Sequence, residues 1–240
     1  MDDTEVGSRS ELLTVIVPNY NERETLRESV KRLLDTSLPV RAEVLVVDDG
    51  STDSSIETIA DLVEDGSVRV VALPKNRGKG AAIRAGLQAA RGTVATILDA
   101  DLEYDPSNFA QMLVPILDGE ATVAYGTRTF GAHTAYSFWY VLGNKALGLW
   151  ASFLFNTWLS DVETCFKMAR TSLWLDLDLR SNGFGIEAEV TGKLLRRGSR
   201  IYEVPIYYRA RSRSEGKKLH WTDGVEAFWI LLRERLSPAS

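Results

Sequence analysis

The sequence predicts an α/β fold with a mostly parallel central sheet flanked by helices. Two observations lead to this prediction. Short β-rich runs alternate with helical segments throughout the first half of the 240-residue chain, and connections of that length join parallel strands rather than hairpins. Polar residues also cluster just after the predicted strands, at the sheet edge where open parallel sheets bind their ligands.

The elements of the first half follow from apolar runs that are bounded by turn residues. The run LLTVIV at 12–17, which Pro18 ends, predicts the first strand. The further predicted strands are 43–47, 68–73, 93–98 and 121–125. The predicted helices are 24–34, a helix capped near Ser51 or Thr52, an alanine-rich helix at 78–90, and a helix that starts at Asp105-Pro106. Strands separated by such helices imply right-handed βαβ units.

The second half is less regular. Its predicted strands are 165–169 and 201–207, and its predicted helices are 185–196 and 222–235. The aromatic segment 137–159 fits either a pair of core helices or a face that lies on a membrane, because Trp and Tyr favour that interface. No repeat or linker interrupts the chain, which predicts one domain over residues 1–240.

Composition narrows the classes of function. A net charge of −5 and a pI near 5.2 argue against a general nucleic-acid binder, whose surface is basic. Five cations and one acid in residues 209–218 form either a solvated face or an anion site. Cys165 is the only cysteine, which excludes a disulfide framework and a cysteine metal site. Because no apolar leader is visible at the N-terminus, we expect a cytoplasmic chain.

Two carboxylates follow the fourth predicted strand, in the sequence LDAD. Asp99 and Asp101 alternate across the strand end, so both can point at one hard cation, and Glu103 adds a third oxygen donor. Oxygen ligands that leave room for phosphate suit Mg²⁺ or Mn²⁺. An isolated Asp-x-Asp is more often part of a turn, so this pattern predicts a metal site only together with the motifs around it.

Two further motifs have both a structural and a functional interpretation. In VVDDGSTD, either Gly50 permits a positive φ and a hydroxyl caps a helix, or Asp48 and Asp49 bind the base and ribose of a nucleotide. In NRGKGAA, two glycines and Lys79 stand at a helix start, which favours phosphate. This second motif matches neither the P-loop nor the dinucleotide-binding glycine pattern.

In this order, the motifs PNYNE, VVDDGSTD, NRGKGAAIRAG, LDADLEYDP and YGTR resemble the family 2 glycosyltransferases of the GT-A fold. The resemblance implies a Rossmann-like half, residues 12–128, that binds a nucleotide sugar, and a second half, residues 129–240, that binds the acceptor. It implies that the nucleotide sugar contacts Pro18, Tyr20, Glu22, Asp48, Asp49, Lys79, Asp99 and Ala100. It also implies that Mg²⁺ or Mn²⁺ is held by Asp99, Asp101 and Glu103.

The second half resembles the dolichol-phosphate mannose synthase branch of that family, through DVETCFK, FGIEAEV and YEVPIYYRARSRSEGKK. The resemblance implies that Arg211 and Lys217 contact phosphate groups. Together, the residues that it implies for catalysis are Asp101, Arg128, Arg211 and Lys217. Glu163, within DVETCFK, is a candidate to orient the acceptor or the sugar.

One departure from the branch concerns the acceptor phosphate. The branch carries another arginine shortly after YG[TS]R, whereas this chain reads GAHTAYS there. His133, Ser137 or Lys145 would have to take its place.

The implied reaction is the transfer of a single hexose from a nucleotide diphosphate sugar, of the GDP-mannose or UDP-glucose type, to polyprenyl phosphate. A phosphate acceptor is already anionic at neutral pH, so the attack needs no strong base, and a single displacement inverts the configuration. The implied location is peripheral, on the inner face of the cytoplasmic membrane. Two alternatives stay open: a soluble or glycan acceptor, and an inactive protein that only binds nucleotide sugar or lipid phosphate.

Overall fold

The computed structural model of the chain describes residues 11–129, 138–210 and 221–237. The strands are β1 (Leu12–Asn19), β2 (Arg41–Asp48), β3 (Val68–Ala72), β4 (Val94–Ile97), β5 (Val123–Thr127), β6 (Lys167–Arg170) and β7 (Ile201–Pro205). They form one sheet in the order β3-β2-β1-β4-β6-β5-β7. The predicted α/β fold with a mostly parallel sheet is therefore confirmed.

Helices cover both faces of this sheet. They are α1 (Leu26–Leu34), α2 (Ala60–Glu64), α3 (Lys79–Ala89), α4 (Phe109–Leu117), α5 (Phe138–Phe155), α6 (Thr171–Asp176), α7 (Ile186–Arg196) and α8 (Trp221–Leu236). Two short 3₁₀ turns, Ile56–Ile59 and Pro106–Asn108, precede α2 and α4.

Strand direction decides which loops meet at the sheet edge. β1 pairs in parallel with β2 and β4, β2 with β3, and β5 with β7. Among the described strands only β6 runs antiparallel, and it lies between β4 and β5. The chain therefore enters β6 at the edge where the parallel strands end.

Side chains of β1 alternate between two cores, since successive strand residues point to opposite faces. Leu13, Val15 and Val17 belong to a buried cluster with residues of α1 and α4, whereas Ile16 belongs to a cluster with residues of α3 and α7. Helix α3 approaches the sheet closely because Gly86 has no side chain, and a Cβ there would lie 2.5 Å from the Ile16 side chain.

Three local predictions differ from the structure. No helix is capped at Ser51 or Thr52. The helical segment begins later, at Ile56, because the Ser51 hydroxyl accepts hydrogen bonds from Asn19 and from the Asn21 amide instead. The aromatic segment contains one long helix, α5, rather than a pair. A short helix, α6, follows β6 where none was predicted.

The predicted helix start at Asp105-Pro106 is confirmed, because the Asp105 carboxylate accepts a hydrogen bond from the Ser107 amide at 2.9 Å. Within the described ranges, no helix combines the length and the apolar character needed to cross a bilayer.

Candidate functional site

The polar side chains that the sequence places after the strands lie together at the carboxyl edge of the parallel strands. β1 ends at Asn19, β2 ends at Asp48, Asp99 follows β4, and Arg128 follows β5. Because β6 runs the other way, residues 161–166, which precede it, arrive at the same edge. The candidate site therefore extends along the ends of β2, β1, β4, β6 and β5.

A hydrogen-bond network around Asn19 forms the β2 end of the site. The Asn19 side-chain nitrogen donates to Asp48 at 2.8 Å, to Ser51 at 3.0 Å and to Ser55 at 2.8 Å. Asp48 also accepts a hydrogen bond from the Ser51 amide at 3.3 Å. These bonds fix the Asp48 carboxylate at the end of its strand.

Pro18, Tyr20 and Glu22 lie in and after the end of β1, next to this network. Pro18 is half-buried and Tyr20 is 37% exposed. The Glu22 carboxylate accepts a hydrogen bond from the Thr25 hydroxyl at 3.1 Å. The predicted contact of these three residues with a nucleotide stays a prediction.

Asp49 supports the loop that leads into α3. Its two carboxylate oxygens accept hydrogen bonds from the amides of Arg77 at 2.8 Å and Gly78 at 2.7 Å. Gly50, next to it, has the positive φ that its turn predicts, 72°, and a Cβ there would lie 2.7 Å from the backbone of Lys75. Asp49 thus holds the loop that presents Lys79.

Two amides at the start of α3, where phosphate binding is predicted, form hydrogen bonds within the chain. The amides of Gly80 and Ala81 donate to the Asn182 carbonyl oxygen at 2.7 and 3.3 Å. Gly78 and Gly80 permit this approach, because a Cβ on either would clash with the backbone of residues 181–182. These two amides already have a partner within the chain, and the predicted phosphate contact at this helix start stays a prediction.

Lys79 links Asp99 to Glu187, which lies on α7. The Lys79 ammonium lies 2.9 Å from the Asp99 carboxylate and 3.2 Å from the Glu187 carboxylate. Burial opposes the charge on Lys79, but the two carboxylates outweigh burial and hold its pKa well above the ordinary value. Lys79 is therefore a charged neighbour of a predicted metal ligand.

Glu187 also pairs with Lys167, the first residue of β6. The Lys167 ammonium is completely buried, lies 2.5 Å from the Glu187 carboxylate, and donates to the carbonyl oxygens of Val162 and Thr164. A buried ammonium is tolerated only when it is paired and hydrogen-bonded in this way. Neither residue has a role that the sequence predicts. Charged residues within otherwise apolar stretches were the available signal.

Asp101 and Glu103 lie in a tight turn after Asp99. The Asp101 carboxylate accepts a hydrogen bond from the Glu103 amide at 3.0 Å, and Leu102 between them has a φ of 63°. The Glu103 carboxylate is buried and accepts a hydrogen bond from the Tyr208 hydroxyl. Glu103 thus contacts Tyr208, whereas Asp99 contacts Lys79.

The structure does not assemble the three predicted metal ligands into one cluster. In the part of the chain that the structure describes, no group of three acidic, histidine or cysteine side chains is arranged to hold a metal ion. Mg²⁺ does not require such a group, because it is commonly bound by one or two carboxylates together with water and substrate phosphates. Asp99 and Asp101, at the end of β4, fit that requirement.

Asp161 fixes Arg128 in position. The Arg128 Nε and Nη2 atoms donate to the two Asp161 carboxylate oxygens, each at 2.7 Å, and Asn144 donates to the same carboxylate at 3.0 Å. Burial would raise the pKa of Asp161, but Arg128 outweighs burial and keeps this pKa below its ordinary value. The Arg128 guanidinium also lies 5.2 Å from the centre of the Tyr208 ring. A charged, bidentate pair of this kind gives Arg128 a defined orientation.

Glu163 lies in the segment between Asp161 and β6. Burial raises the pKa of its carboxyl to about 7. Its Oε1 atom is buried and has no hydrogen-bond partner among the described residues.

The remaining predicted residues lie in the core or outside the described ranges. Ala100 is buried behind the two aspartates. Arg211 and Lys217 fall outside the described residues, as do His133 and Ser137. Their predicted contacts with phosphate stay predictions.

Comparison with known proteins gives sequence matches over most of the chain. The family model for glycosyl transferase family 2 matches residues 14–173. The chain is 30% identical over 242 residues to the undecaprenyl-phosphate mannosyltransferase of Micrococcus luteus, covering 92% of this chain and 97% of that one. It is 29% identical over 209 residues to the dolichol-phosphate mannosyltransferase of Pyrococcus furiosus, and it spans 58% of that protein's length.

A solved structure gives a match in fold. The glucosyl-3-phosphoglycerate synthase from Mycobacterium tuberculosis, in complex with Mn²⁺, uridine diphosphate and glucosyl-3-phosphoglycerate, matches with a TM-score of 0.71 and 20% sequence identity. The match covers 96% of this chain and 82% of that chain. At this identity the likeness shows the fold alone, and it confirms the predicted GT-A architecture.

Proposed function

The chain belongs to glycosyl transferase family 2, and we propose that it transfers a single hexose from a nucleotide diphosphate sugar to polyprenyl phosphate with inversion. The observation behind the proposal is that Asp99 and Asp101 share one sheet edge with Lys79 and Arg128. Carboxylates suit a divalent ion and fixed cations suit phosphates, which is what a diphosphate donor and a phosphate acceptor require. The relatives named as dolichol- and undecaprenyl-phosphate mannosyltransferases support the same acceptor class.

In this proposal the donor lies along the sheet edge. Asp48 and Asp49 lie where the nucleoside would bind, and Asp99 and Asp101 would hold Mg²⁺ or Mn²⁺ against the diphosphate. When bound, the ion supplies positive charge that stabilises the departing diphosphate. Lys79 also pairs with Glu187, so it would keep a negatively charged partner when Asp99 binds the divalent ion.

The acceptor needs positioning rather than a strong base, because its phosphate is already anionic. Arg128, held by Asp161, is the fixed cation next to the sugar end of the donor. Arg211 and Lys217, from the cation-rich residues 209–218, would add phosphate contacts. Lys145, exposed on α5, is a candidate for the missing arginine.

A transfer assay tests this function. Protein in detergent with polyprenyl phosphate and Mg²⁺ or Mn²⁺ should convert one labelled hexose, from a panel of GDP- and UDP-hexoses, into a product that extracts into organic solvent. A chelator should abolish this conversion and excess Mn²⁺ should restore it. Asp101→Asn should slow it by about 100-fold or more. Asp105→Asn is the matched control, because that carboxylate caps the helical segment after the site.

The outcomes separate the alternatives. A labelled product that stays in water would support a soluble or glycan acceptor instead. Donor binding without turnover of any hexose would favour the inactive binding protein. Either result would refute transfer to polyprenyl phosphate.

Because the proposed acceptor is a lipid, we also propose that α5 and α8 lie on the membrane surface. Exposed apolar side chains recur at helical spacing on each of the two helices, so each helix carries one apolar stripe. The stripe residues are Phe138, Leu142, Leu149 and Phe153 on α5, and Val225, Trp229 and Leu236 on α8. The helices adjoin, since the Trp150 indole donates to the Phe228 carbonyl oxygen at 3.3 Å. Exposed Arg233 and Arg235 on α8 favour an anionic surface.

Vesicle sedimentation tests the membrane surface. The protein should sediment with vesicles that contain anionic phospholipid and less with purely zwitterionic vesicles. The double variant Phe153→Ser, Trp229→Ser should lose most of this binding. Val114→Ser, at a 50% exposed position on α4, should bind like wild type. Equal sedimentation of all three proteins would refute the assignment of this surface.

A further inference from the structure

One carboxylate oxygen of Glu163 has neither a hydrogen bond nor an ion pair among the described residues. Its Oε1 atom is buried without a hydrogen bond among the described residues. By contrast, Arg128 pairs with Asp161, and Lys167 pairs with Glu187. The Glu187 Oε1 atom also has no hydrogen bond, but the Lys79 ammonium lies 3.2 Å from it. A buried polar atom without a partner costs free energy, and such atoms in native structures call for an explanation. When this carboxylate is ionised it can only accept, so its missing partner is then a hydrogen-bond donor.

Glu163 lies close to the buried ion pairs of the site. The charged groups that act on its carboxyl are Lys167, Glu187, Arg128 and Asp161, which form the two buried ion pairs of the site. Lys167 and Arg128 are nevertheless bound to other carboxylates. Glu163 as a whole is only partly buried, so part of the residue is accessible to a ligand.

Strand order places Glu163 at the sugar end of the proposed donor. The order β2-β1-β4-β6 puts Asp48 at one end, Asp99 in between and Glu163, which precedes β6, at the other. With adjacent strands about 4.8 Å apart, β2 and β6 are separated by about 14 Å. A nucleotide sugar is a linear chain of base, ribose, diphosphate and hexose. A nucleoside at β2 and a diphosphate at β4 therefore put the hexose at β6.

We propose that Glu163 determines donor specificity by accepting a hydrogen bond from a hydroxyl group of the donor hexose. The inference rests on the proposed function and names a substrate contact within it. A hexose hydroxyl is a neutral donor, whereas a phosphate would be repelled by a carboxylate. Rotation of the carboxyl group about its terminal bond would bring the unpartnered oxygen to the sugar, so the benefit of the contact is realised only when the sugar is present.

Deoxygenated donors test this contact. Wild type is assayed with the nucleotide hexose that it uses best and with the analogues that each lack one hydroxyl group. One analogue should lose roughly 10- to 100-fold in kcat/KM, because it leaves the Glu163 oxygen without a donor. Glu163→Met removes the carboxylate that accepts this hydrogen bond. Its kcat/KM for the complete donor should therefore fall by a similar factor, and its kcat/KM for that analogue should be no lower than for the complete donor. Glu163→Gln keeps a carbonyl oxygen and should retain part of the discrimination.

Glu203→Gln is the matched control. The Glu203 carboxylate is also half-buried, but it accepts hydrogen bonds from the Ser160 amide and hydroxyl at 3.0 and 2.7 Å. This variant should discriminate among the analogues as wild type does. If Glu163→Met keeps the wild-type discrimination, or loses the same factor on every analogue together with a lower Tm, the inference is overturned while the proposed function stands. If wild type turns over no donor at all, the proposed function fails and the inference fails with it.

Discussion

Replacing Glu163 by glutamine should change how the stability of the protein depends on pH. Burial raises the pKa of this carboxyl from its ordinary 4.5 to about 7. The folded state therefore binds the proton more tightly than the unfolded state, and stability falls as the pH rises from 4.5 to about 7. At about 1.4 kcal/mol per pKa unit, this loss amounts to roughly 3 kcal/mol. Glutamine does not ionise, so the free energy of unfolding of the variant does not fall in this way as the pH rises.

Urea unfolding of both proteins between about pH 4 and about pH 8 measures this effect. The free energy of unfolding of Glu163→Gln, relative to wild type, should rise by roughly 3 kcal/mol from the acid to the alkaline end. The new amide adds only an offset that does not vary with pH. In a chain of 240 residues, this rise corresponds to roughly 6–12 °C in Tm. A difference that stays constant across the pH range would refute the reasoning.

A second carboxylate gives a control of opposite sign. Glu189 accepts hydrogen bonds from the Ser181 amide and pairs with Lys193 at 2.9 Å. These partners outweigh burial and hold its pKa below the ordinary value. Glu189 thus contributes stability above its unfolded pKa that is lost as the pH falls. Glu189→Gln should therefore be least stable, relative to wild type, at the alkaline end.

Two further predictions concern the buried ion pairs. Glu187→Gln should lower the free energy of unfolding by roughly 3–5 kcal/mol in chemical denaturation, because Lys167 stays buried without its carboxylate. Adding Lys167→Met should recover most of that loss, and no recovery would contradict the pairing. Asp161→Asn should lower kcat/KM for transfer by roughly 10- to 100-fold with an unchanged circular dichroism spectrum, because Arg128 loses its charged partner. An unchanged rate would exclude a positioning role for Asp161.

The first five strands could be predicted because each combines a short apolar run with turn residues at its end. Their observed ends lie within two residues of the predicted ones. The largest local surprise is that β1 continues through Pro18, which pairs with Val47 of β2. On the other side, the pairing of β1 with β4 has already ended at Ile16. Proline is tolerated there because no neighbouring strand needs its missing N–H.

The reversal of β6 could not be predicted from its own residues. A run such as CFKMA indicates a strand but carries no direction, and the direction depends on pairing with the distant strands β4 and β5. For the same reason, the sequence did not show that Lys167 is buried. Its carboxylate partner, Glu187, comes from a helix that packs on the sheet only in the folded chain. The buried pair of Lys167 and Glu187 therefore depends on tertiary contacts that the local sequence does not indicate.

The glycine-rich start of α3 predicts that some group approaches the backbone closely, but it does not predict which group. Gly78 and Gly80 correctly predict that another group approaches the backbone closely. Either a phosphate oxygen or a carbonyl oxygen can accept hydrogen bonds from those amides. The structure assigns the position to the Asn182 carbonyl oxygen. The Lys79 side chain of this motif lies at the candidate site, paired with Asp99.

The charges of the site bear on how donor and cation bind. Along the described part of the edge, carboxylates outnumber cations, and each cation already pairs with a carboxylate of the chain. The cations are Lys79, Arg128 and Lys167, and the carboxylates are Asp48, Asp49, Asp99, Asp101, Glu103, Asp161, Glu163 and Glu187. A diphosphate that approaches alone therefore meets excess negative charge, which a divalent ion reverses. We expect calorimetry to show donor binding that is at least about tenfold tighter with Mn²⁺ than without it. Equal Kd values would contradict this account of the site.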